Sequence, residues 1–407
     1  MKQEDVEEDE MPIDALSEDP EICEVETAIE SVAKIAKTKQ ENPDKPKKKW
    51  KLAIFWTTLI LVSLGAIVFT MLNDFLGTSV VANDTIAGQL RQNWWWLILA
   101  VLALIVGLLC RSMIYAAMIY LFTGKTRPKL SMSVTLVGTF YDKVTPLGTG
   151  GQAFQIYHLQ KQNLPEGAAI AVPVMEYIIG RIAFVMLSIT AIILNALNVF
   201  GTEVSIVIGI YIMAIIGVVL NLCLPFLLFV SLFSKRACRK ITKFVVRVAK
   251  FFRLTKSPSR MYTNIMTKLE ANISCMKLVL RRKWLLLWVM VCSIGAALAF
   301  ASIGYFVIKA FGFTTEHGWG WGEIVVINLL IMNAVSFFPT PGGAGMADLS
   351  FYLVYSSYLA PFALGAGAIA TLIWRLISYY SLVLIGFIHV MVIARKKRRL
   401  NHARKEI

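Results

Sequence analysis

Arg181 and Arg375 each stand near the centre of a long apolar run. A cation at such a position costs at least ~2.5 kcal/mol on insertion scales and usually faces a partner or a cavity. Each follows a helix-breaking motif at nearly the same distance. Thr145 of TPLGTGG (Thr145 to Gly151) lies 36 positions before Arg181, and Thr340 of TPGGAGM (Thr340 to Met346) lies 35 before Arg375. Glu176 and Asp348 are the acids available to pair with the two arginines. A helix that starts after a glycine turn presents free N–H groups and a positive dipole end, which favour an anion. The candidate site for a phosphate or similar head group therefore combines Arg181 and Arg375 with the two turns. From the first turn come Thr145, Gly148, Gly150, Gly151 and Gln152, and from the second Thr340, Gly342, Gly343, Gly345 and Asp348. Glu176, Asp142 and Asp348 are also candidate proton carriers or charge partners, the two aspartates alternatively serving as caps. Lys143, Tyr157, His158 and Tyr352 flank the turns. Arg111 is read as snorkelling toward the helix end, and His389 as interfacial.

Other chemistry finds no support in the residue pattern. TPLGTGG lacks the Lys-Ser/Thr that a phosphate-binding P-loop requires, and neither HExxH nor GxSxG occurs. The cysteines at 23, 110, 223, 238, 275 and 292 have no CxxC spacing, so neither a disulfide nor a zinc site is expected. No catalytic residue, metal or cofactor is assigned.

The elements that must position these residues are transmembrane. With 57% hydrophobic and 16% charged residues and mean hydropathy +0.64, the 407-residue chain lies outside the soluble range. Its net charge of +15 would suggest nucleic acid in a soluble protein. Here the Lys and Arg residues cluster at 45–51, 124–129, 235–283 and 395–405, while 73–93, 199–203 and 312–323 carry almost none, with Trp94, Trp95, Trp96, Trp319 and Trp321 at their borders. That pattern reports orientation, with basic loops in the cytoplasm, and no nucleic-acid partner is expected. Residues 1–50 read as a disordered acidic cytoplasmic tail ending in a basic cluster, and 396–407 as a basic cytoplasmic tail. No cleavable signal peptide is read, so Leu52–Leu72 is expected to anchor the chain.

Starting inside, spans are expected at Leu52–Leu72, Trp94–Leu121, Ala168–Leu197, Val204–Phe233, Trp284–Phe311 and Phe362–Val392. Leu130–Lys161 must then begin and end in the cytoplasm, and Glu323–Leu359 must begin and end outside. Each carries one Thr-Pro-x-Gly-x-Gly at its middle, where proline ends a half-helix and glycine turns the chain. The expected fold is an all-α integral membrane domain over 51–395: six full spans plus two re-entrant helical hairpins in an inverted repeat. Within 235–283, Arg239, Lys240, Lys243, Arg247 and Lys250 oppose Ile241, Val245, Val248 and Phe252, which predicts an amphipathic segment on the cytoplasmic leaflet.

PTPGGAGMADLSF (Pro339 to Phe351), followed by WRLISYY (Trp374 to Tyr380), resembles the signature of the lysylphosphatidylglycerol synthase transmembrane family, also called flippase-like domain proteins. TPLGTGGQAFQIYHL resembles that family's other Gly-Gly segment, and the likeness spans roughly residues 50 to 395. The resemblance implies a membrane domain that moves an anionic or aminoacylated phospholipid, such as lysylphosphatidylglycerol, between leaflets. The chain departs from the family in having Gln152 where acids are common, and Gly180 rather than Glu before Arg181. No room is expected after Ile407 for an aminoacyl-transferase domain, so an enzyme activity is not assigned. The leading expectation is a lipid translocase of the cell membrane, multi-pass, with both termini cytoplasmic and membrane lipids as partners. The alternatives are a membrane module presenting lipid to a separately encoded aminoacyl- or glycosyltransferase, and a polyprenyl-phosphate or small-anion transporter. An oligomer is compatible with each.

Overall fold

The structure, a computed structural model, describes residues 84–145, 148, 150–197, 208–233, 273–312, 320–336, 338, 340–343, 345–359 and 366–403. The acidic tail, the anchor Leu52–Leu72, and Arg239, Lys240, Lys243, Arg247 and Lys250 lie outside them. Among the described residues the chain is helical, without strands. A short α1 (Asp84–Gln92) leads into α2 (Trp95–Thr123), and a first pair of shorter helices, α3 (Pro128–Val144) and α4 (Gly150–Lys161), precedes α5 (Glu166–Ala196). After α6 (Ile208–Phe233) comes α7 (Lys283–Lys309), then a second short pair, α8 (Trp321–Val335) and α9 (Met346–Leu359). The last span runs from α10 (Ala366–Arg375) through a π-turn (Leu376–Tyr380) into α11 (Ser381–Ala403).

Among the described residues four helices are long and apolar enough to cross a bilayer: Trp95–Thr123, Glu166–Ala196, Lys283–Lys309 and Ala366–Lys396. Their outward faces carry exposed Ile98, Leu102, Ile189, Leu287 and Ile388, as lipid contact would require. The short helices measure 17 and 12 residues in the first pair and 15 and 14 in the second, each below the ~20 needed to span. Within each pair the two helices pack on one another, so each Thr-Pro-x-Gly-x-Gly motif is the bend of a helical hairpin.

Local sequence explains these boundaries. Pro128 fits the first turn of α3, where its missing N–H is no loss. The helix ends at Thr145, which adopts the extended conformation that a following proline imposes. Gly124 closes α2 in the left-handed conformation, its N–H bonded to the Tyr120 carbonyl at 2.8 Å. At the start of α8 the Glu323 carboxylate accepts the Gly320 N–H, which also suits the helix dipole.

The order long helix, hairpin, long helix occurs twice, and the packing is reciprocal. The leading helices α2 and α7 lie against one another. The first hairpin packs through α3 on α11, the closing helix of the second unit, while the second hairpin packs through α8 on α5, the closing helix of the first.

The core is divided along the length of these helices. One apolar cluster takes Ala100, Leu104 and Leu108 of α2, Ala191 of α5, Ile303 and Val307 of α7, and most of the second hairpin. The other takes Ile114 and Tyr115 of α2, Val172, Met175 and Ile179 of α5, Val289 and Cys292 of α7, and Val134 and Leu159 of the first hairpin. Each hairpin thus nests in its own apolar block. Arg111 stands on α2 between Leu108 and Ile114, and Arg181 stands on α5 just after Ile179, so a polar seam separates the blocks.

Candidate functional site

Arg181 lies 15 residues from each end of α5 and is half-buried in the seam. Its Nη1 donates to Asn221 Oδ1 at 2.8 Å, and its guanidinium lies 5.3 Å from the centroid of the Tyr177 ring. Asn221, on α6, donates in turn to Ser336 Oγ at 2.7 Å and to Asn333 Oδ1 at 3.3 Å. The buried Asn333 also donates to Ser188 Oγ on α5. Neutral amides and hydroxyls therefore tie Arg181 to the second hairpin, and its charge is not spent on a hydrogen-bonded carboxylate.

Arg375 is held differently. Its Nε donates to Asp348 Oδ1 and its Nη2 to Asp348 Oδ2 at 3.0 Å, with both side chains buried. Nη2 also approaches the Gly343 carbonyl at 3.5 Å. A bidentate pair of this kind satisfies both charges and fixes their orientation. The two arginines that the sequence suggests as equivalents therefore differ: Arg375 is neutralised by an acid and Arg181 is not.

Arg111 corrects the sequence reading, because it does not snorkel. Its Nη2 donates to Glu176 Oε1 at 3.2 Å, and Glu176 Oε2 accepts from Tyr115 Oη at 3.1 Å. Glu176 thus serves Arg111 rather than Arg181. Gln155 Nε2 donates to the same Tyr115 hydroxyl at 2.8 Å and joins the first hairpin to this group. Gln152, favoured from sequence, is half-buried on the neighbouring turn of α4. The signal for Arg111 was the one used for Arg181, a charge near mid-helix.

The expectation of free N–H groups after the glycine turns is corrected for the first turn. Gly150 N–H donates to Thr145 Oγ1 at 2.9 Å, Gly151 N–H to Asp142 Oδ1 at 3.0 Å, and Gly345 N–H to Asp348 Oδ2 at 2.9 Å. Thr145 and Asp142 thus occupy the first two donors of α4, while Asp348 caps the turn just ahead of α9. Gly148 and Gly342 adopt φ of 60° and 59°, the left-handed turns that the motif requires, as do Gly343 and Gly345 at 68° and 85°.

The two bends meet at a residue that sequence reasoning missed. Tyr379, in the π-turn, donates from Oη to the Lys143 carbonyl at 3.1 Å and lies 3.5 Å from the Pro341 carbonyl. A Cβ on Gly342 would strike its ring. Lys143 Nζ stands 5.4 Å from the Tyr379 ring centroid and the Arg375 guanidinium 5.0 Å from it. Thr340, Gly342 and Gly343 remain half-exposed at this junction, together with Asp142 and Lys143.

Two further features complete the seam. Ser293 on α7 is buried and its Oγ has no hydrogen-bond partner; a Cβ placed on Gly180 would lie 4.0 Å from it and 4.0 Å from Glu176 Oε1. A Cβ on residue 180 would thus sit in ordinary contact with both groups. Farther along the first hairpin, Ser133 Oγ is 2.9 Å from His158 Nε2 and 2.8 Å from His389 Nε2, linking α3, α4 and α11. His389 is therefore part of an internal contact between the two units.

The seam holds four cations, Arg111, Lys143, Arg181 and Arg375, against three carboxylates, Asp142, Glu176 and Asp348. Asp142 lies within electrostatic range of Arg111, Glu176 and Arg181, and Lys143 within range of Arg375, Asp142 and Arg111. Such an arrangement favours a single negative charge entering the seam. Among the described residues no cluster of three or more metal-ligating side chains occurs.

Comparison with known proteins gives a consistent match. Residues 50–386 match the family described as Lysylphosphatidylglycerol synthase TM region. A UPF0104 membrane protein of Archaeoglobus fulgidus is 23% identical over 347 residues, covering 82% of this chain and 94% of that protein. A UPF0104 membrane protein of Methanocaldococcus jannaschii is 23% identical over 268 residues, covering 65% of this chain and 74% of its own. No solved structure matches the chain.

Proposed function

The chain belongs to the Lysylphosphatidylglycerol synthase TM region family and is a multi-pass membrane protein, and from that premise we propose that it is a lipid translocase for a phospholipid with an anionic or aminoacylated head group. One observation carries this reading. The polar seam crosses the long apolar helices near their middles and holds one more cation than it has carboxylates. A surplus charge at that depth is unfavourable unless an anion or water compensates it.

The two helical hairpins support a re-entrant placement. Each is too short to span, and each bends at the seam. With the first hairpin entering from the cytoplasmic face and the second from the outer face, the repeats are inverted and six full spans complete the domain. Irregular backbone at membrane depth is tolerated where protein encloses it or where it lines a water-filled cavity, and the half-exposed glycine turns suit the second case. A head group would pass from one hairpin to the other through the seam while its acyl chains stay in the bilayer, by rocking of one repeat against the other.

The test is reconstitution into vesicles carrying a fluorescent phosphatidylglycerol, with a membrane-impermeant quencher outside. The protein should accelerate leaflet exchange, and Arg181→Ala should abolish the acceleration. Exchange at the rate of empty vesicles would reject translocation.

A further inference from the structure

Arg111 and Arg375 each hydrogen-bond a carboxylate and Arg181 bonds Asn221, whereas Lys143 of the same seam is held by a ring contact. Asp348 is taken up by Arg375 in a two-point contact. Glu176 is taken up by Arg111 and Tyr115. Asp142 accepts the Gly151 N–H. Among the described residues no carboxylate forms an ion pair with Lys143, whose ammonium instead shares the ring of Tyr379 with the Arg375 guanidinium. Two like charges over one ring repel, and the ring itself offsets only about 0.5–2 kcal/mol for each.

The position of Lys143 adds a geometric reason. It is the residue before the last of α3, so it stands at the mouth of the first bend. Its own carbonyl is fixed by Tyr379 Oη, the hydroxyl that also approaches Pro341 in the second bend. Lys143 stays half-exposed in a setting otherwise enclosed by helices. A bidentate arginine pair is a finished structural contact, whereas a lysine is a mobile point charge with three donors. The first suits a scaffold and the second suits a ligand that must later leave.

We infer that Lys143, at the junction of the two glycine bends, is the phosphate-binding residue of the seam. Its ligand is a phosphoryl oxyanion, and Arg375 is a positioning residue that supports the second bend. This rests on the translocase reading for its membrane context, but the binding claim can be tested apart from transport. The phosphoryl group has two sources, a lipid head group or free phosphate.

The experiment uses the full chain in detergent with fluorescent phosphatidylglycerol as the probe. Lys143→Gln should weaken binding about tenfold or more, the loss expected for a charged hydrogen bond. Lys143→Arg should retain most of it. Lys129→Gln, which removes the same charge from an exposed position on the same helix, should bind as the parent does. Unchanged binding by Lys143→Gln, or equal loss in Lys129→Gln, would overturn the assignment.

Because Lys143→Gln could disturb folding, a second measurement uses the unaltered chain. Labelling of Lys143 by an amine-reactive reagent, read by mass spectrometry, should slow when the ligand is present. Protection by phosphatidylglycerol alone assigns a lipid-borne phosphate, and protection by inorganic phosphate as well assigns the free anion too. Protection by neither overturns the inference. Protection without leaflet exchange would remove translocation and leave the subsite, while exchange that survives Lys143→Gln would remove the subsite and leave translocation.

Discussion

Tyr379 donates its hydroxyl to the backbone carbonyl of Lys143 at 3.1 Å, although 236 positions separate the two residues. The same oxygen lies 3.5 Å from the carbonyl of Pro341, so one side chain from the π-turn joins the bends of both hairpins. Single-turn π segments recur at functional positions, and this one gives the last span an extra residue where Tyr379 must turn inward.

Tyr379→Phe keeps the ring and deletes the joining hydroxyl. The loss should cost about 1 kcal/mol of stability, the net value of one hydrogen bond. Leaflet exchange should fall by more than the small shift in melting temperature in detergent would account for. Exchange at the parental rate would mean that the bends need no tie.

The Arg375 and Asp348 side chains are buried as a pair, so removing either charge strands the other. Asp348→Asn and Arg375→Gln should each destabilise by about 3–5 kcal/mol. The double variant should recover part of that loss, because no lone charge remains. Unfolding in a denaturing detergent would measure all three, and additive losses would contradict the pairing.

Arg181 and Glu176 should act in opposite directions on an anionic probe. Glu176→Gln raises the positive charge of the seam and should tighten binding of fluorescent phosphatidylglycerol severalfold. Arg181→Gln should weaken it. Equal effects of the same sign would show that the two variants act through folding alone.

Gly180 faces Glu176 and Ser293. Gly180→Ala should be tolerated and gain up to about 1 kcal/mol from helix propensity. Gly180→Leu should slow exchange, because its side chain crowds Glu176 and Ser293. The comparison of melting temperature with exchange rate separates the two variants.

Ser133 stands between His158 and His389. Ser133→Ala removes the hydroxyl that both ring nitrogens share, at a cost of about 0.5–1.5 kcal/mol for each part-buried hydrogen bond lost. A lower melting temperature with unchanged phosphatidylglycerol binding is the expected result, since this contact lies away from the seam's cations.

Much of this architecture can be read from the sequence. Hydropathy places the long helices within a few residues, and the twin Thr-Pro-x-Gly-x-Gly motifs mark the two bends because Pro and Gly act locally. The Arg375–Asp348 pair was also within reach, since a buried charge calls for an opposite one and Asp348 follows the second bend. Lys143 and Tyr379 were not legible as partners. Their relation depends on how a hairpin in one unit meets the last helix of the other, and on a π-turn that no composition marks. Arg111 shows a different failure: its distance from the helix end suggested snorkelling, while tertiary packing brought Glu176 across from α5. Asn221 and Gln155 are ordinary polar residues in sequence and matter only through the groups they reach.

The division of the core into two apolar blocks bears on how the protein resists its solvent. Parting the hairpins at their junction breaks mainly hydrogen bonds and charge contacts, for which incoming water is a near-equivalent substitute. Parting either block would strip Leu, Ile and Phe side chains of close neighbours, with nothing comparable offered in return. Water entering the midsection would therefore disturb less packing than water entering either block.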